Sequence, residues 1–361
     1  MRIAIIHLGR KGAGPVYTLE MAKALQRMGH EVIYYASAYV ENKKYVEKET
    51  FEKRFFETYT SRLTYAISVI FRFGIKKVIQ SLLKDNPDVV YSTMNDLWQP
   101  FIFPSIPRFT RVKTIHDVGI HEGNESRFNK WWNATAFRDA EKFVVLSKKF
   151  VPQLQLRGIS QNNITVIPHA GFDFYVRNNV DIVKGTRKQL LFFGRIDRYK
   201  GIKVLLDAMP IILQTYPDLL LTIAGNGDMS EYSGEIESIK QNVNVINRWI
   251  KDEEVAEIVE PADVVILPYT HATQSGVIPL AYAFSKPVIA TNVGGLDEQV
   301  VEGITGYIVP SHNPKAIANA VIRIYAEEGK PHEMGQKAHQ YMEESLTWES
   351  SAKRFTEFLS K

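Results

Sequence analysis

The 361-residue chain has no cysteine. That excludes disulfides, thiolate nucleophiles and cysteine-bound zinc, and it agrees with a reducing compartment such as the cytoplasm. No run reaches the ~18 apolar residues of a membrane span. The apolar stretch after Met1-Arg2 is too short for a signal-peptide core, so a soluble or peripheral protein is expected. A P-loop is absent. The first glycine cluster, Gly9, Gly12 and Gly14, is not G-x-G-x-x-G, and the segment Tyr34-Tyr35-Ala36-Ser37 carries no acid to hold a ribose, which argues against a dinucleotide-dependent dehydrogenase. A formal net charge of +4 is too small to mark a nucleic-acid binder, and no nucleic-acid partner is expected.

Hydrophobic residues make up 45% of the chain and charged residues 23%, an ordinary balance for a globular enzyme. The length fits two domains of roughly 170 residues, each able to bury a core. Ile3-Ala4-Ile5-Ile6-His7-Leu8 reads as a parallel strand covered on both faces. The glycine turn, a helix from Val16 to Met28 and a strand at Val32 to Tyr35 complete a β-α-β unit. Strands follow at Val89 to Ser92, Val112 to Ile115, Lys142 to Leu146 and Thr165 to Ile167. The pattern then starts again: Leu190 to Phe193 runs into Gly194, and strands recur at Leu219 to Ala224, Val243 to Ile246, Val264 to Leu267 and Val288 to Ala290, with helices between several of them.

The expected architecture is α/β, two Rossmann-like domains with a cleft between them. Residues 1–172 form the first, 173–345 the second, and a helical tail at 346–361 packs back on the first. The less patterned stretch from Ile167 to Leu190 is read as the linker. Glycine turns between strand and helix leave backbone N–H groups at helix starts, where anions bind. Gly12 and Gly14 allow close backbone approach in the first half. The second turn, Gly194 to Gly201, adds Arg195 and Lys200, so diphosphate binding is expected there.

Several short motifs stand in order along the chain. Gly194-Arg195-Ile196-Asp197 with Lys200-Gly201, Ala224-Gly225-Asn226-Gly227-Asp228, Ala262-Asp263-Val264, Lys286-Pro287-Val288 and Gly294-Gly295 resemble the retaining glycosyltransferases of family 4. In the first half Gly12-Ala13-Gly14, Gly29-His30-Glu31-Val32, His116-Asp117 and Ile167-Pro168-His169 fit the same pattern. The resemblance implies the GT-B fold, a nucleoside-diphosphate-sugar donor and a glycan or lipid-linked hydroxyl acceptor, in polysaccharide or glycolipid biosynthesis. Carried over by position, Arg195 and Lys200 contact the donor diphosphate and His116 lies beside the transferred sugar. Gly194, Gly225 and Asn226 belong to the donor site, and backbone atoms from Arg248 to Ile250 meet the base. His7, His121, His169 and His271 receive no catalytic role. No two aspartates stand one residue apart, so the usual acidic clamp for a metal is missing. No cofactor is expected: Arg and Lys meet the diphosphate charge, and a cation ~4 Å from it at an effective dielectric of 20 contributes about 4 kcal/mol before discounting.

The family's two glutamates, E-x7-E before Lys286-Pro287, are absent, and no glutamate lies between Pro261 and Asp297. Ser275, Gly276 and Val277 are expected to offer N–H groups at a helix start, with Gln274 a substitute for ribose recognition. This loss motivates a rival reading, a non-catalytic subunit supporting a partner enzyme; a sugar-nucleotide epimerase on the same fold is a second. Finally, Thr58 to Lys84 holds Arg62, Arg72, Lys76, Lys77 and Lys84 and no acid. Its apolar positions Leu63, Ile67, Ile70, Val78, Ile79 and Leu82 follow helical spacing and are read mostly as core. The cations are read as a face for an anionic membrane surface, at the inner side of the cell membrane, as one for a lipid-diphosphate acceptor, or as a solvated helix face.

Overall fold

The computed structural model describes residues 1–117, 119, 126–176 and 187–361, and of residues 127–130 the backbone alone. Much of the expected linker and His121 therefore lie outside the described residues. The chain forms two compact units, one of Met1–Ile120, Ser126–Pro168 and Trp348–Lys361, the other of His169–Thr347.

The first unit is built on seven parallel strands, β1 (Arg2–His7), β2 (Glu31–Ser37), β3 (Glu52–Phe56), β4 (Val89–Ser92), β5 (Thr110–Ile115), β6 (Lys142–Val145) and β7 (Ile164–Val166). Their order in the sheet is 3-2-1-4-5-6-7. Ile3, Ala4 and Ile5 are completely buried, as expected for a strand covered on both faces. The helix Ala13–Arg27 follows the glycine turn at once. Against it lies the helix Trp348–Leu359: the Trp348 ring meets Tyr17 edge-on with centroids 4.9 Å apart, and Phe355 stacks on Tyr91 at 4.2 Å.

The second unit has six parallel strands, β8 (Gln189–Phe193), β9 (Leu220–Gly225), β10 (Val243–Asn247), β11 (Val264–Leu267), β12 (Val288–Thr291) and β13 (Gly306–Val309), in the order 10-9-8-11-12-13. In both sheets the order reverses beside the first strand of the unit. Loops leaving the carboxyl ends of the two strands at such a reversal part in opposite directions and leave a crevice for ligand. In the first unit these are β1 and β4; in the second, β8 and β11.

Two strands escaped the sequence pattern. β3 reads Glu-Lys-Arg-Phe-Phe because it is an edge strand, where charge is tolerated and discourages pairing with other chains. Arg54 on it binds Asp85 through two hydrogen bonds of 3.0 Å, which hold the Asp85 carboxyl below its ordinary range despite desolvation. β13 begins at Gly306 and is also an edge strand. One reading needs correction. Leu63, Ile67 and Ile70 are not core: the helix Arg62–Phe71 contains no buried residue, whereas Ile75, Val78 and Leu82 on the next helix, Phe73–Asp85, are buried and Ile79 packs partly against them. Among the described residues no helix is long and apolar enough to cross a membrane.

Backbone closeness at the carboxyl ends of β8 and β9 is enforced by glycine. A Cβ on Gly225 would lie 1.7 Å from the Gly194 carbonyl oxygen. Gly225→Ala is expected to destabilise the protein by about 3 kcal/mol in urea unfolding, because backbone rather than a flexible side chain must move. Gly234→Ala is the control: nothing lies within 4 Å of the added carbon, and a helical alanine contributes up to about 1 kcal/mol. Equal midpoints for the two variants would disprove the contact.

Candidate functional site

In the second unit the carboxyl ends of β8 and β9 run on side by side as loops. Gly194 N–H donates to the Ala224 carbonyl at 2.9 Å, and Ile196 N–H to that of Asn226 at 3.0 Å. This fixes Gly194, Gly225 and Asn226 in one place. Arg195 projects from the same loop, exposed, with no ion-pair partner among the described residues. Its neighbour Arg198 is instead paired with Glu231 at 3.1 Å. Lys200 sits over the Tyr269 ring with Nζ 3.7 Å from the centroid. Tyr269 follows β11, so this cation stands at the sheet's point of reversal, and Thr270 N–H donating to the Tyr199 carbonyl at 2.8 Å ties the two loops together.

The start of the helix Val277–Ala283 differs from expectation. Ser275 N–H donates to Gln299 Oε1 at 2.8 Å, and Val277 N–H to Ser275 Oγ at 3.2 Å. Two of the three N–H groups expected to face a ligand are thus used internally, which leaves Gly276. The cause is Gln299, whose Nε2 also donates to the Ser275 carbonyl at 3.0 Å and clamps that residue from both sides. Gln274 Oε1 is buried without a hydrogen-bond partner among the described residues, an acceptor left for a donor such as a hydroxyl. Arg248 is held by Glu254 through contacts of 2.9 and 2.6 Å, so its guanidinium is committed within the unit.

His169 is a residue that sequence reasoning set aside. Its Nδ1–H donates to the Ala170 carbonyl at 3.0 Å, which makes Nε2 the acceptor of the neutral ring. A Cβ on Gly276 would stand 3.4 Å from that nitrogen. The signal was the Ile167-Pro168-His169 motif, whose histidine could be given no partner before folding placed it beside Gly276.

In the first unit Gly12 precedes the helix Ala13–Arg27 with φ +85°, a left-handed conformation suited to glycine. Gly14 makes a close approach: a Cβ there would lie 2.7 Å from His7 Nε2 and 2.9 Å from Met94 Sδ. His7 is the floor of the glycine loop, buried, with Nδ1 lacking a partner among the described residues. Desolvation, aided by the nearby His116, lowers its pKa to about 4. His116 follows β5 and donates Nε2–H to the Thr93 carbonyl at 2.8 Å, leaving Nδ1 as acceptor; burial lowers its pKa. Arg62, Arg72, Lys76 and Lys77 lie on two successive helices, Arg62–Phe71 and Phe73–Asp85, with Arg72 at the corner between them.

Comparison with known proteins follows the same division. Residues 14–170 match the family model "Glycosyltransferase Family 4" and residues 178–341 match "Glycosyl transferases group 1". The chain belongs to the family 4 glycosyltransferases. It is 31% identical over 179 residues to a D-inositol 3-phosphate glycosyltransferase of Corynebacterium urealyticum, covering 47% of this chain and 42% of that protein. It is 27% identical over 290 residues to a glycogen synthase of Mycobacterium tuberculosis, covering 74% and 67% respectively. The chain thus spans about half the length of the curated relatives it matches. Among solved structures, Anabaena HepE in complex with UDP and glucose aligns over 100% of this chain and 99% of its own, with a TM-score of 0.76 at 17% identity, a likeness of GT-B fold.

The floor histidine makes stability depend on pH. Its folded pKa is below the ordinary 6.5, so the unfolded chain takes up the proton first on acidification. The stability His7 contributes is complete above pH ~6.5 and is lost as pH falls towards ~4. Between pH 7 and pH 5 the loss is about 2 kcal/mol. Urea titrations at both pH values should show a shallower pH slope in His7→Asn than in the parent protein, and parallel slopes would refute the assignment.

Proposed function

We propose that this glycosyltransferase moves a sugar from a nucleoside-diphosphate donor to a hydroxyl of a glycan or lipid-linked acceptor, with retention and without a metal, in polysaccharide or glycolipid biosynthesis at the cytoplasmic side. The observation that carries the reading is the loop after β8, where an exposed Arg195 and a ring-supported Lys200 stand at the reversal of the sheet beside Gly194 and Gly225. In the transfer, the anomeric carbon–oxygen bond to the diphosphate breaks, the acceptor oxygen forms the new bond, and its proton leaves with the diphosphate. Negative charge grows on the leaving group as that bond breaks. Two cations held there stabilise the transition state more than the bound donor. Gln274 Oε1, an unpartnered acceptor, suits a ribose hydroxyl in place of the absent glutamate. His116 Nδ1, oriented by the bond to Thr93, suits a sugar hydroxyl.

Arg195→Ala and Lys200→Ala are each expected to lower turnover at least tenfold, about 1.4 kcal/mol of transition-state stabilisation, with unchanged urea midpoints. Near-normal rates in both variants would remove the assignment. A nucleoside diphosphate at 100 times its dissociation constant stabilises the native state by about 2.7 kcal/mol. A thermal-shift series with UDP, GDP and ADP should therefore find one that raises the midpoint, and silence with all three would contradict a donor site. A second reading, a non-catalytic subunit, is favoured by the internal use of the Ser275 and Val277 N–H groups. It requires the absence of both sugar transfer and donor hydrolysis, whereas turnover of donor with no acceptor to a new sugar nucleotide would mark an epimerase.

A further inference from the structure

The helix Arg62–Phe71 faces the wrong way for a core helix. At 100° per residue Leu63, Ile67 and Ile70 fall within a 60° arc, and they are 71%, 46% and 73% exposed. The opposite side holds the helix to its unit through polar and aromatic groups. Tyr65 meets Tyr59 edge-on at 5.1 Å, and Ser68 Oγ accepts a hydrogen bond from Trp98 Nε1–H at 2.9 Å. The helix is well formed in its own right, with a capping box in which Thr64 N–H donates to Ser61 Oγ and Ser61 N–H donates to Thr64 Oγ1.

At the corner with the next helix Arg72 adopts φ +55°, a conformation that L side chains seldom take. On either side of it Phe71 and Phe73 are 57% and 70% exposed, their rings parallel to within 2° and 6.2 Å apart. Five large apolar side chains therefore share one end of the unit, open to water. On the same two helices Arg62, Arg72, Lys76 and Lys77 are exposed, as is Lys84 at the far end of the second. No acid occurs from Thr58 to Lys84, and none of these cations has an ion-pair partner among the described residues.

We propose that this corner is a membrane-docking element: the helix Arg62–Phe71 lies in the surface of an anionic bilayer with Leu63, Ile67, Ile70, Phe71 and Phe73 among the acyl chains and the flanking cations on the headgroups. An apolar stripe beside unpaired cations matches the two layers of a bilayer interface. A second copy meeting the same surface about a two-fold axis would bring cations against cations, which disfavours a dimer as the occupant. The exposed stripe corrects the sequence reading and changes its meaning, since the apolar residues, not the cations alone, supply the contact.

Flotation of the full chain with vesicles tests this without any turnover, so the result is independent of the donor reading. The protein should float with mixed phosphatidylcholine–phosphatidylglycerol vesicles and stay below phosphatidylcholine alone. Ile70→Ser/Phe73→Ser and, separately, Lys76→Gln/Lys77→Gln should each weaken binding at least about tenfold. Both pairs are exposed, so unchanged urea midpoints are expected; Leu63→Ser provides an independent apolar variant. No flotation of the parent protein, or parent-like flotation of all the apolar variants, overturns the proposal. Sedimentation showing a dimer that Ile70→Ser/Phe73→Ser dissolves, with no vesicle binding, assigns the surface to a second copy and overturns it as well.

Discussion

Main chain approaching its neighbours more closely than a side chain would allow is the constraint on which both units rest. At the carboxyl ends of β8 and β9, Gly225 backs onto the Gly194 carbonyl with no room for a methyl group. In the first unit Gly14 closes instead over a side chain, the His7 ring. The first contact lies on the far side of β8 from the reversal with β11, and the second lies at the reversal between β1 and β4, where loops diverge and leave amides facing solvent. The main chain after β8 is thereby packed directly against that after β9. Arg195 and Lys200 are added to an already fixed loop, so little of their interaction with an anion is spent on ordering backbone.

The alternation of strand and helix was legible because parallel strands buried on both faces are written as continuous apolar runs, such as Ile3 to Ile6 and Val264 to Leu267. Where burial fails, so does the signal. β3 carries Glu52, Lys53 and Arg54 because it is an edge, and its pairing is set by β2 rather than by its own composition. The donor loop was legible through its glycines and cations. The commitment of Ser275 N–H to Gln299 was not, because the two residues are 24 positions apart and only the folded chain brings them together. The same holds for His169 beside Gly276.

The helix Arg62–Phe71 illustrates a different limit. Periodicity establishes that a helix has an apolar side and a polar side, and says nothing about which of them meets the protein. Tyr65 and Ser68 decide the matter here, by contacts to Tyr59 and Trp98 that no spacing rule contains. An amphipathic pattern is evidence for two environments, and either one is able to be the interior of the domain.

The first unit is completed by Trp348–Lys361, whose Trp348 and Phe355 cover Tyr17 and Tyr91. A ribosome working from the amino terminus delivers those fourteen residues after all of His169–Thr347. The second unit is therefore free to fold while its predecessor still shows an aromatic surface to the chaperones around the nascent chain. The half of the molecule synthesised first is the half finished last.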